Sequence, residues 1–182
     1  MLTAAQVQQA RHRAAEMLAA AGFVITPAER AAIEVVDFGL GDLERLGTEI
    51  VVYVNTERVC AKELVLFPHQ TCAEHRHPPF DRTPGKEETF RVRKGVVYLN
   101  VEGGEPTPNP KANPARAERG VYTAKREIVL HPGEQYTVPP NTKHWFQGGP
   151  DGAVVSEFST KSRDELDIFT DPEISRMPVQ TD

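Results

Sequence analysis

The sequence predicts an all-β domain, a sandwich or small barrel of short strands with an N-terminal helical extension. Three observations carry that expectation. Up to about residue 40, apolar side chains recur at helical spacing behind two capping signals. From Thr48 the period changes to short runs rich in Val, Leu and Tyr, separated by Gly/Pro/Asn/Asp clusters. The chain also carries 15 prolines in 182 residues, which suits a loop-rich β protein better than a helix bundle.

Taken in order, Thr3 with Gln6 and Thr26 with Glu29 match the S/T-x-x-E/Q capping box, and Pro27 sits where a helix tolerates a missing N–H. Val7, Ala10, Ala14, Met17, Leu18 and Ala21 form the apolar stripe of the first helix, which Gly22 ends. The second helix is expected to carry Ala32, Ile33 and Val36 and to stop near Gly39, with a further turn over 42–46. Strands are expected over 49–55, 58–67, 71–77, 88–93, 96–101, 126–130, 135–138, 144–147 and 153–159. The segment 103–120 holds four prolines and reads as a long, exposed excursion between strands. The resulting division is a helical extension at 1–47, a β-barrel at 48–160 and a tail at 161–182. Leu166, Ile168 and Phe169 are the tail's docking cluster.

Composition excludes several function classes. With 21 Lys+Arg against 26 Asp+Glu, the formal charge of −5 disfavours non-specific nucleic-acid binding, which needs excess cation. No apolar run approaches the roughly 20 residues of a membrane span. The N-terminus lacks the apolar core of a signal peptide. Two cysteines, Cys60 and Cys72, are too few for a disulfide framework. A cytoplasmic protein is expected. There is no G-x-S-x-G, no G-x-x-x-x-G-K-[ST] and no C-x-x-C.

The chemistry concentrates in His75-Arg76-His77. On a strand, residues i and i+2 share a face, and two adjacent imidazoles are a poor core but a good start for a metal site. Glu88 heads an apolar alternating segment, where a carboxylate needs a cation or hydrogen bonds to justify its burial. Gly133 to His144 reads as turn, strand, proline corner and second turn, delivering His144 onto another strand. Gly149-Pro150-Asp151-Gly152 reads as a type I turn closing a hairpin. With a four-residue loop, His144 lies opposite Glu157 on the same face; a three-residue loop with a bulge at Gly152 turns Glu157 away. The inward register is preferred. Lys62, the only Lys in the apolar run 59–67, faces either the interior or solvent. Trp145 should point away from His144 and serve packing or an interface.

These residues resemble the two-motif signature of the cupin superfamily, G…H-x-H…E-x6-G and G-x5-P-x-G-x2-H. Here they are His75-x-His77, Glu88 and Gly95, then Gly133, Pro139, Asn141 and His144. Two departures stand out. Ten residues separate His77 from Glu88, which makes Glu87 a rival, although the six-residue spacing to Gly95 favours Glu88. Asn141 replaces a glycine, but Asn is the residue most tolerant of a left-handed turn position. The resemblance implies a jelly-roll, double-stranded β-barrel with His75, His77, Glu88 and His144 as metal ligands. Such an N₃O set suits a borderline divalent ion and leaves room for a substrate that chelates through two oxygens.

A closer resemblance is to the D-lyxose isomerases, ketol isomerases that also act on D-mannose. It rests on Lys62-Glu-Leu-Val-Leu-Phe-Pro68, Gln70-Thr-Cys-Ala-Glu-His75-Arg-His77-Pro, Glu87-Glu88-Thr-Phe-Arg-Val-Arg-Lys-Gly95, Pro139-Pro-Asn-Thr-Lys-His144-Trp-Phe, Ser156-Glu157-Phe-Ser-Thr and Asp164-Glu-Leu-Asp167-Ile-Phe-Thr-Asp171-Pro. It implies a Mn²⁺-dependent aldose–ketose isomerase, with Co²⁺, Ni²⁺, Fe²⁺ or Zn²⁺ as other candidate ions, acting on a monosaccharide as a homodimer. Glu157 and Lys62 are then the catalytic candidates and Asp167 a substrate-binding one. The competing readings are a cupin dioxygenase with the same four ligands and a non-catalytic sugar-binding cupin.

Overall fold

The computed structural model describes residues 2–176. Helix α1 (Ala4–Ala20) begins as expected, with the Thr3 hydroxyl accepting from the Gln6 N–H and the Gln6 side-chain oxygen accepting from Thr3 N–H at 2.8 Å. Helix α2 (Pro27–Ala32) starts with the same reciprocal pair, Thr26 and Glu29. It ends earlier than expected. Ile33 is already extended, and Glu34–Val36 form strand β1, antiparallel to β2 (Thr48–Asn55). The β-branched Val35 and Val36 lie beside an unpaired strand edge, and that pairing outweighs the local helical pattern.

The remaining strands are β3 (Cys60–Leu66), β4 (Thr71–Arg76), β5 (Glu88–Val101), β6 (Arg126–Leu130), β7 (Gln135–Val138), β8 (His144–Ser159) and β9 (Ile168–Phe169). All pair antiparallel in one curled sheet of order β1-β2-β3-β8-β4-β9, with β5 also joining β6, β7 and β8. The long pair β5 and β8 links the two walls. Each was expected as two strands, and each is one. Gly95 does not break β5 but bulges it at φ +76°, where a Cβ would stand 2.0 Å from the Gly152 carbonyl oxygen.

The hairpin expected at Gly149–Gly152 does not form. Strand β8 runs through it and swells outward, advancing from Gly148 to Ala153 while β5 moves only between Val97 and Gly95. The two halves of β8 do not pair with each other because both pair with β5, and additionally with β4 and β3. His144 is therefore flanked by Val101 and His75, and Glu157 by Phe90 and Lys62.

The barrel interior is filled by residues such as Leu64, Leu66, Phe90, Val92, Leu99 and Phe146. A second layer forms where the Ala10, Ala14 and Leu18 face of α1 covers Val51, Val65 and Phe67 on the outer wall. Trp145 packs, as expected, on the face away from His144, against Tyr122, and donates to the Ala124 carbonyl at 2.9 Å. The 103–120 segment lies on the surface but is pinned there. The Lys111 and Ala112 N–H groups donate to the Glu127 carboxylate at 2.7 and 2.8 Å, and Asn113 exchanges backbone bonds with the Gln147 amide. In the tail, Phe169 docks through β9 while Ile168 stays exposed; positions 177–182 of the expected tail lie outside the described residues. Among the described residues no helix is long and apolar enough to cross a membrane.

Leu18 is fully buried between α1 and the outer wall. Leu18→Ala is expected to lower unfolding stability by about 2–5 kcal/mol, read by urea denaturation, because the rigid sheet cannot collapse into the cavity.

Candidate metal centre

Three strand ends meet at one mouth of the barrel. His75 lies near the end of β4 and His77 just beyond it, Glu88 opens β5, and His144 opens β8 beside His75. A bulge in β4 between Cys72 and His75 puts both on the cavity face, opposite Phe146 and His144 of β8, and Asn141, at φ +57°, makes the tight turn that feeds His144 into its strand. The imidazole rings of His75 and His144 are 4.4 Å apart, and those of His75 and His77 are 4.9 Å apart. One ligand atom from each of His75, His77, Glu88 and His144 lies within 4.8 Å of all the others, and all four side chains are buried. Glu87, the rival carboxylate, is exposed.

The ring nitrogens are sorted by their outer partners. His75 Nδ1 stands 2.8 Å from the Ala73 carbonyl and His144 Nδ1 2.9 Å from the Thr142 carbonyl. A carbonyl only accepts, so Nδ1 carries the proton and Nε2 keeps its lone pair toward the cluster. Burial, with His144 and His77 nearby, holds His75 well below the usual imidazole range, so it stays neutral. His144 Nε2 is buried without a hydrogen-bond partner although Glu88 Oε1 is 2.8 Å away, so the approach is off the axis of a bond. An orphaned lone pair aimed at a carboxylate oxygen is what a cation would satisfy. The residues fit a divalent ion of the borderline class, with three nitrogens and one oxygen as donors.

His77 differs from the other two. Its Nδ1 pairs with Asp167 at 2.5 Å and its Nε2 lies 3.1 Å from Glu88 Oε1. Burial pushes its pKa down, but Glu88 and the Asp167 hydrogen bond lift it to about 9. A cation at Nε2 would replace that proton. Glu88 itself is 1% exposed. Burial would raise its pKa, but Lys86, His77 and His144 together hold it well below the usual carboxylate range.

The other expected residues reach the same cavity. Glu157 faces inward, though through its β3 and β5 neighbours rather than through a hairpin, and Oε1 accepts from Lys86 Nζ at 2.8 Å. Lys62, opposite Glu157 in register, is buried and donates to Ser162 Oγ at 2.9 Å and Asp164 Oδ2 at 3.0 Å. Burial alone would depress its ammonium, but Glu157 and Asp164 outweigh that and raise it. Asp167 lines the cavity and orients His77.

Sequence reasoning missed Lys86 and Asp164. Lys86 stands two residues before Glu88, so strand alternation was the available signal; the long 78–87 segment hid it by reading as loop. Gly85 makes that return path fit. It adopts φ +103° against the His77 carbonyl, which a Cβ would approach to 2.3 Å. The structure expects a measurable dependence on the outer partner of His77. Asp167→Ala should weaken Mn²⁺ binding by roughly 10- to 100-fold in calorimetric titration; unchanged affinity would deny Asp167 its orienting part.

No family model matches the chain. Among curated proteins, the D-lyxose ketol-isomerase of Cohnella laeviribosi is 60% identical over 172 residues, covering 94% of each chain. The D-lyxose/D-mannose isomerase of Thermosediminibacter oceani is 58% identical over 178 residues, covering 98% of each. Among solved structures, the L-ribose isomerase of Cellulomonas parahominis superposes with a TM-score of 0.78 at 18% identity, over 95% of this chain and 94% of that one. The L-ribose isomerase of Acinetobacter sp. DL28 gives 0.79 at 16% identity, over 95% and 94%. These structures establish the shared cupin-type barrel.

Proposed function

The chain belongs to the D-lyxose ketol-isomerase family, and from that premise we propose that it interconverts D-lyxose with D-xylulose, and D-mannose with D-fructose, by proton transfer through an enediol. The observation that carries the reading is a buried His₃Glu cluster sharing one cavity with a separate carboxylate, Glu157. Isomerisation breaks the C–H bond beside a carbonyl and remakes it on the neighbouring carbon, which needs an electrophile and a base side by side.

We assign His75, His77, Glu88 and His144 as ligands of a divalent ion, Mn²⁺ by preference. When bound, the ion supplies Lewis acidity that acidifies the C2 proton of the open-chain aldose. Glu157 is the base. Its carboxylate takes the C2 proton and returns it to C1, while the O2 hydroxyl loses its proton and O1 gains one, so that aldose and ketose balance. Lys86 bridges Glu157 and Glu88, and its charge favours the ionised form of Glu88. Lys62, kept cationic by Asp164, offers an N–H to a substrate oxygen or to ring opening. Asp167 is assigned a hydroxyl of the sugar beside its bond to His77. In the division of the chain, the helix α1 of segment 1–47 buttresses the wall while β1 joins the sheet, 48–160 carries the assigned ligands, and the tail at 161–182 contributes Asp164 and Asp167. The two cysteines are buried and free, in keeping with a cytoplasmic setting, and the assembly we propose is a homodimer.

Two measurements test the reading. Protein stripped with chelator should convert none of a panel of aldoses, and Mn²⁺ should restore ketose formation with D-lyxose and D-mannose preferred; turnover that ignores metal would overturn it. Glu157→Gln should keep Mn²⁺ and sugar binding yet lose about 10²- to 10⁴-fold in kcat, the span typical of general acid–base catalysis. Near-normal kcat would remove Glu157 from the base's role.

A further inference from the structure

Lys86 treats the two oxygens of Glu88 differently. Its Nζ lies 2.6 Å from Glu88 Oε2, while Oε1 is turned to the imidazoles, 3.1 Å from His77 Nε2 and 2.8 Å from His144 Nε2. The same Nζ holds Glu157 Oε1 at 2.8 Å. All three side chains are buried. A carboxylate beside a divalent cation binds through one oxygen or through both, and what its second oxygen is bonded to decides which.

We propose that Lys86 is a positioning residue that restricts Glu88 to a single ligating oxygen and holds Glu157 apart from it. The consequence is specific. A Glu88 released from Lys86 is free to turn its second oxygen onto the cation and take a coordination position that a sugar oxygen needs. Glu157, released at the same time, loses the contact that fixes its direction toward C2. Removing Lys86 also removes a positive charge beside the cation, which favours metal binding. The inference rests on the isomerase reading, but its first test needs no substrate.

The experiment titrates Mn²⁺ calorimetrically into metal-free wild-type protein, Lys86→Met and Lys86→Arg, with folding checked by thermal melting, and measures kcat and KM for D-lyxose on each. An ordinary supporting contact to a ligand weakens metal affinity roughly 10- to 100-fold when lost. Here Lys86→Met is expected to bind Mn²⁺ at least as tightly as wild type while kcat falls about 100-fold or more. Lys86→Arg keeps the charge and the donors and should recover at least about tenfold of that loss. Mn²⁺ affinity weakened tenfold or more in Lys86→Met (on the ordinary scale of about 10- to 100-fold), or kcat within about threefold of wild type, overturns the proposal. If Lys86→Met does not fold, Lys86→Gln carries the same two readings with the same expected directions. A wild-type protein that binds Mn²⁺ but isomerises no aldose overturns the isomerase reading, and the affinity comparison still decides the part played by Lys86.

Discussion

A carboxylate at 1% exposure inside a β-barrel is the constraint from which the rest follows. An ion of that kind, left alone in an apolar interior, costs several kcal/mol even after the protein relaxes around it. Glu88 is compensated from three directions, by His77, His144 and Lys86. None of these comes from its own strand. They arrive from the end of β4, the start of β8 and the 78–87 segment, so the mouth of the barrel closes only in a register that brings all of them to one point. The imidazoles are in turn held by carbonyls and by Asp167, which leaves their inner nitrogens no partner within the protein beyond the carboxylate. The polar centre is thus under-coordinated in itself, and a divalent cation is what would complete it.

The tail is a wall of the cavity. Asp164 holds Lys62, Asp167 holds His77, and the Phe169 ring lies against His75 with centroids 5.5 Å apart. Glu74, adjacent to His75 but facing outward, accepts from Thr123 and Ala124 backbone N–H groups and from the Thr123 and Thr170 hydroxyls. One buried carboxylate therefore joins β4, the segment before β6 and the tail. The proline-rich segment adds a second clasp through Arg116, which donates to Asp171 and Glu173. The long surface excursion is thereby fastened to the tail just beyond β9, the strand that pairs with His75 and Arg76.

The cluster of His75, His77, Glu88 and His144 was legible because each of its parts has a local signature: an H-x-H spacing for His75 and His77, burial without justification for Glu88, and a proline corner with an αL-tolerant Asn141 for His144. The capping boxes of both helices were legible for the same reason, since each is a contact across three residues. What failed were inferences about pairing. Pro150 and Gly152 have turn chemistry, yet β8 passes through them because β5 offers a continuous partner that the sequence does not display. Val36 continues a helical period with Ala32 and Ile33, but the edge of β2 claims it. Glu157 faces the cavity for a reason other than the one that singled it out. Lys86 escaped notice because a cation in a loop carries no period, and only the fold reveals that it is buried.

The central claim is that three Nε2 atoms and one carboxylate oxygen hold a single cation. Anomalous diffraction at the manganese absorption edge, on crystals grown from Mn²⁺-saturated protein, tests it most directly. The account requires one anomalous peak per chain, within coordination distance of His75, His77, Glu88 and His144. A peak at any other group of side chains, or no peak among these four residues at saturating Mn²⁺, would contradict it.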